Sequence, residues 1–108
     1  MLDKRKFYID GKWVSPSKPN DLEVINPSTE EAFATISLGS KEDTNSAVSA
    51  AKKALVNWGE SSKEERINLL EKLLDIYKKR YSEMTEAISM EMGAPMDWSN
   101  DAQTSSGQ

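Results

Sequence analysis

The chain has 108 residues, with 14 Lys or Arg against 18 Asp or Glu, for a formal charge of −4 at pH 7. It contains no Cys and no His, which excludes a disulfide framework, a thiolate nucleophile and a Cys-ligated metal, and removes the commonest general base. Its length suits one domain and is too short for a two-domain enzyme. Its acidic balance supplies no clustered cations for nucleic acid or an anionic membrane.

Met1 to Lys6 is basic with no apolar stretch behind it, so it does not read as a secretory signal, and a soluble, cytoplasmic protein is expected. Phe7-Tyr8-Ile9 and Lys12-Trp13-Val14 flank Asp10-Gly11, a dipeptide that tolerates positive φ and suits a two-residue hairpin. Ser15 to Asp21, with two prolines, reads as a loop. Leu22 to Ile25 reads as a strand that Asn26-Pro27 stops, because Pro cannot donate to a ladder. From Ala32 to Leu38 the residues alternate, Ala34, Ile36 and Leu38 on one face and Phe33, Thr35 and Ser37 on the other. A small antiparallel sheet is expected from residues 1–39.

At Gly39-Ser40 the period changes to that of a helix. Ser40 with Asp43 predicts an N-terminal cap, and Ala47, Val48, Ala51, Ala54, Leu55 and Trp58 form one apolar stripe over a helix from about 41 to 58, with Gly59 as its stop. Ser62 and Glu65 predict a capping box for a second helix. Its stripe runs through Ile67, Leu70, Leu74 and Tyr77, is widened by Leu73, and continues with Tyr81, Met84 and Ile88. A bend fits near Arg80 to Ser82. Gly93 ends this region and Pro95 suits the first turn of another helix. Trp13, Trp58 and Trp98 are expected to anchor packing, and the last segment, 96–108, carries few apolar residues.

No constellation in this chain reads as a catalytic centre. The five glycines, at 11, 39, 59, 93 and 107, form neither a dinucleotide fingerprint nor a Walker-type loop. Asn100-Asp101 and Glu42-Asp43 lack the ligand spacing of a calcium loop. The carboxylates Glu30-Glu31, Glu64-Glu65, Glu83, Glu86 and Glu91 lie mostly on polar helix faces, where solvation accounts for them. Ser61-Ser62 have no base to activate them, and Lys78-Lys79-Arg80 reads as an outer helix face rather than a nucleic-acid patch. A carboxylate hydrolase would need two acids of raised pKa facing one cleft.

The succession Tyr8-Ile9-Asp10-Gly11-Lys12-Trp13-Val14, then Val24-Ile25-Asn26-Pro27-Ser28-Thr29-Glu30, resembles the N-terminal part of the NAD(P)-dependent aldehyde dehydrogenase superfamily. The likeness continues through Lys41-Glu42-Asp43, Ala47-Val48, Ala50-Ala51, Ala54, Trp58, Glu65-Arg66, Leu69-Leu70 and Glu91-Met92-Gly93-Ala94-Pro95. The family's usual Glu-x-Gly-Lys-Pro motif has Ala94 in place of Lys here. The resemblance implies an α/β parent with an aldehyde dehydrogenase-like fold. Residues 1–108 would be the N-terminal part of its cofactor-binding domain, 1–39 as strands and turns and 40–108 as three or four α-helices.

In the family a Cys thiolate attacks the aldehyde, hydride leaves to NAD or NADP, and a Glu-activated water hydrolyses the thioester. The Cys, the Glu, the oxyanion Asn and the glycine-bearing cofactor loop lie beyond the stretch that this chain matches. The resemblance therefore implies no catalytic, cofactor-binding or metal residue here, and no cofactor bound by this chain alone. A monovalent-cation site of relatives maps onto Val24, Ile25 and Gln103, which offer no hydroxyl and no charge in the matching places.

The expected function is the N-terminal segment of an oxidoreductase that oxidises an aldehyde to a carboxylic acid, inert by itself. Its partners would be the remainder of the parent enzyme and, for the parent, a small aldehyde, with no nucleic acid and no membrane. The parent would be a homo-oligomer. The rival reading is a stand-alone α+β protein-interaction module that uses exposed helix faces or a strand edge.

Overall fold

The computed structural model describes residues 1–107. Asp10 and Gly11 take positive φ, 53° and 75°, the backbone twist that a two-residue hairpin turn demands. Strands β2 (Phe7–Ile9) and β3 (Lys12–Val14) therefore pair antiparallel, with Tyr8 opposite Trp13. Alternation turns Phe7, Ile9 and Val14 to the half-buried face and leaves Tyr8 and Trp13 exposed, their rings edge to face at 5.3 Å.

A separate three-stranded sheet has the order β1-β5-β4, with β1 at Leu2–Asp3, β4 at Asp21–Asn26 and β5 at Glu31–Ser37. The four-residue link from β4 to β5 is far shorter than a parallel crossover needs, so that pair is antiparallel. Asn26 organises the link: its Oδ1 accepts the Ser28 N–H at 2.9 Å and its carbonyl accepts the Glu30 N–H at 2.8 Å. Strand β1 lies on the other edge of β5 and runs parallel to it, Leu2 opposite Ala34. The antiparallel element is thus present, with a short parallel edge that no residue pattern announces. The alternation expected along β5 is not kept. Ala34 and Ser37 are its buried residues, and Leu38 lies past the strand, exposed.

Helix α1 spans Lys41–Trp58 and starts at Ser40 with a reciprocal capping box. Gly59 stops it in a right-handed conformation, its N–H donating to the Leu55 carbonyl at 2.7 Å. Helix α2 spans Lys63–Lys79, capped by Ser62 and Glu65 in the same way. At Arg80 the backbone leaves helical values (φ −104°, ψ 15°), which makes the bend, and α3 follows over Tyr81–Met92. Gly93 closes α3 at φ 72°, in the left-handed region that favours glycine. Pro95 then leads into the one-turn α4 (Met96–Trp98), a π-helical turn (Ser99–Gln103) and a 3-10 turn (Thr104–Gly107).

The chain forms two compact units, one of residues 1–25 with 32–61 and one of residues 26–31 with the segment from Ser62 onward. Among the described residues Ala34 is the one buried apolar residue; the others buried are Ser37, Asp43, Thr85, Ser99 and Thr104. The expected packing anchors are instead exposed: Trp13, Trp58 and Trp98, along with Met84 of the α3 stripe. The stripe of α1 is also solvent-facing at Val48 and Leu55. The periodicity is as read, but each stripe meets too little apolar surface within its own unit to be covered. No helix of the described residues is long and apolar enough to cross a membrane.

Candidate functional site

Three polar constellations stand out, and none combines a nucleophile with a base. The first is the start of α1. Asp43 Oδ2 accepts the Ser40 N–H and the Ser40 hydroxyl, both at 2.9 Å, while Asp43 Oδ1 accepts the Ser17 N–H at 2.9 Å. The Ser17 and Ser40 hydroxyls meet at 2.7 Å. These donors, the Ser40 and Ser17 backbone N–H groups foremost, hold the Asp43 carboxyl down at about 2. Glu42 is lowered as well, first by the backbone N–H at the helix start and then by Ser40 and Lys18. Sequence reading found the Ser40–Asp43 pair and missed Ser17, which comes from a loop with no local pattern.

The second constellation lines a cleft of about 510 Å³ beside β1, with Met1, Asp3, Arg5, Asp21, Glu23 and Thr35 on its walls. Arg5 bridges Asp3 at 2.8 Å and Asp21 at 3.1 Å. The Arg5 hydrogen bonds bring Asp3 down to about 2, and the two acids raise Arg5. A guanidinium already shared between two carboxylates has little left for a substrate anion. A further cleft, walled by Ile9, Asp10, Asn45, Ser46, Ser49, Ala50 and Lys53, holds no paired groups of opposite role.

The third is the hydroxyl network of the second unit. The Tyr77 hydroxyl donates to the Thr104 carbonyl at 2.7 Å and the Tyr81 hydroxyl to the Asn100 carbonyl at 2.6 Å. Thr104 Oγ1 donates to the Ser99 carbonyl at 2.8 Å and lies 2.9 Å from Thr85 Oγ1. This network fixes the irregular last segment against α2 and α3. It contains no group that ionises near neutral pH, so it holds structure and moves no proton.

Every carboxylate whose pKa is displaced, namely Asp3, Glu42, Asp43 and Glu65, is displaced downward. A carboxylate hydrolase needs the opposite shift in its acid. Among the described residues no cluster of three or more His, Cys, Asp or Glu could hold a metal ion. Val24 and Ile25 lie in β4, and the Gln103 side chain lies outside the described residues.

NAD does not fit this chain by itself. Phosphates favour the free N–H groups of a helix N-terminus, but α1 and α2 both begin under their own carboxylates, Asp43 and Glu65.

A family model described as the aldehyde dehydrogenase family matches residues 13–106. A 3-succinoylsemialdehyde-pyridine dehydrogenase of a Pseudomonas species is 45% identical over 96 residues, covering 89% of this chain and 20% of that protein. The crystal structure of an aldehyde dehydrogenase from Bartonella henselae matches 99% of this chain and 22% of its own, with 58% identity and a TM-score of 0.97. An aldehyde dehydrogenase C mutant of Pseudomonas syringae, solved with NAD+ and octanal, is 38% identical at a TM-score of 0.91 and covers 94% and 21%. The chain spans about a fifth of the length of the curated relatives it matches, at their N-terminal part.

Proposed function

The chain belongs to the aldehyde dehydrogenase family, and from that premise we propose that it is the N-terminal scaffold of an enzyme oxidising an aldehyde to a carboxylic acid with NAD or NADP. It forms part of that enzyme's cofactor-binding domain, and the reacting groups and the cofactor loop are carried by other parts of the enzyme. The partners are the rest of that enzyme and, for the enzyme as a whole, a small aldehyde. Cytoplasmic location and a homo-oligomeric parent complete the reading, on the strength of the family resemblance.

One observation carries the proposal. Close relatives contain this fold as one fifth of a longer chain, while the chain itself has no Cys and exposes the apolar stripes of α1 and α2. A folded segment that presents apolar faces and no reactive constellation is what a scaffold piece should look like. The test is direct: the purified chain should show no turnover of octanal with NAD+ or NADP+. Aldehyde-dependent reduction of nicotinamide by the isolated polypeptide would end the proposal.

A further inference from the structure

Helix α2 carries two apolar stripes rather than one. At about 100° per residue, Leu74 and Tyr77 point one way. They are half-buried, and the Tyr77 hydroxyl is bound to the last segment. Leu69, Leu73 and Ile76 fall within about 60° of one another on a neighbouring sector. They are 52%, 61% and 53% exposed. Glu64, Glu71, Lys72, Asp75 and Lys79 occupy the remaining side. A surface helix needs one apolar stripe and one polar face; a second stripe means a second contact.

Resting on the function proposed above, we infer that Leu69, Leu73 and Ile76 form the docking surface for the part of the aldehyde dehydrogenase fold that this chain does not contain. The Bartonella henselae relative superposes on nearly the whole chain and continues through most of its own length outside the match, so apolar surface is available there to cover the stripe. A second copy is the weaker occupant. Three half-exposed aliphatic side chains from each of two copies fall far short of the ~1,600 Å² of a stable intermolecular interface. Docking within one polypeptide carries no such threshold, because it loses no translational freedom.

The experiment joins residues 1–107 to the remaining part of the Bartonella henselae enzyme and compares this chimera with the free chain by hydroxyl-radical labelling. Leu69, Leu73 and Ile76 should label at least tenfold less in the chimera than in the free chain at a dilution where the latter sediments as a monomer. Leu69→Asp with Leu73→Asp should lower the chimera's soluble yield severalfold and leave the helix content of the free chain unchanged. Equal labelling in chimera and free chain overturns the inference. So does protection in the free chain that disappears on dilution, which would assign the stripe to a second copy. Aldehyde oxidation reads the function separately: an active chimera with a freely labelled stripe sinks the docking surface alone, and an inactive one with a freely labelled stripe sinks both.

Discussion

Helices α1 and α2 begin with the same device in different settings. Ser40 with Asp43 and Ser62 with Glu65 are both reciprocal capping boxes. At α1 the carboxylate is buried and also accepts the Ser17 N–H from a loop 26 residues back. At α2 the box is exposed, with Ser62 N–H donating to Glu65 at 2.7 Å and Glu65 N–H to the Ser62 hydroxyl at 3.2 Å. One end therefore fastens a loop to a helix, and the other finishes a helix and does nothing else. A four-residue motif specifies the local bonds; only the tertiary setting decides whether they also hold the fold.

A third helix end sharpens this contrast and carries the largest expected effect. Gly93 sits at φ 72°, and a Cβ added there would lie 2.7 Å from Pro27 Cγ. Gly93→Ala should open the last turn of α3 at a cost of about 1–3 kcal/mol, from left-handed strain and the Pro27 contact together. Amide hydrogen exchange of the residues before Gly93 reads it. An unchanged rate would mean that the turn is not held against Pro27.

The capping serines come next. Ser40→Ala removes a donor to Asp43 and the contact with Ser17, so a loss of about 2 kcal/mol is expected for opening the first turn of α1. For Ser62→Ala about 0.5 kcal/mol is expected at α2, the two ends of the range for such caps. Equal losses in hydrogen exchange would erase the distinction between the two ends.

Acid titration probes the same pair through charge. Asp43 is held at about 2, below its ordinary 3.8, by the Ser40 and Ser17 N–H groups. A depressed carboxylate stabilises the fold above its unfolded pKa and loses that contribution as pH falls through its folded one. Protection of the first turn of α1 should therefore weaken progressively from about pH 4 toward pH 2. Asp43→Asn should make that protection low and flat across the same window. Glu65 is lowered too, by the Ser62 N–H first and then the Ser62 hydroxyl, so α2 should respond in the same direction and fray sooner.

These contrasts show which features a sequence can disclose. Asp10-Gly11, both capping boxes, the stop at Gly93 and the bend near Arg80 are local, because each follows from the φ preference or hydrogen-bonding reach of residues within one turn. Strand β1 was not legible, since two residues have no period and their place beside Ala34 and Thr35 depends on a pairing more than thirty residues away. Nor was the Thr85–Thr104–Ser99 network, whose hydroxyls are joined by the fold and not by spacing. The stripes on α1 and α2 were read correctly as apolar and wrongly as covered. Periodicity reports that a face should be buried and is silent on whether the burying surface belongs to the same unit. The candidate site follows the same logic: absent Cys and His are visible in the residues, whereas downward-shifted carboxylates become visible only once their N–H donors are in place.

The smallest expected effect tests the faces against the ends. Leu55 lies on the α1 stripe and is 61% exposed. Leu55→Ala in the free chain should change the local stability of α1 by less than about 0.5 kcal/mol, as at an ordinary surface position, with the higher helix propensity of Ala offsetting part of any lost contact. A Leu packed in a core would lose about 2–5 kcal/mol under the same substitution. Hydrogen exchange across the middle of α1 separates the two outcomes readily. A loss above about 2 kcal/mol would mean that the stripe is covered in the free chain, which ordinary concentrations could bring about only through self-association. The cost should then fall on dilution, and a cost that did not fall would place the covering surface within the chain itself.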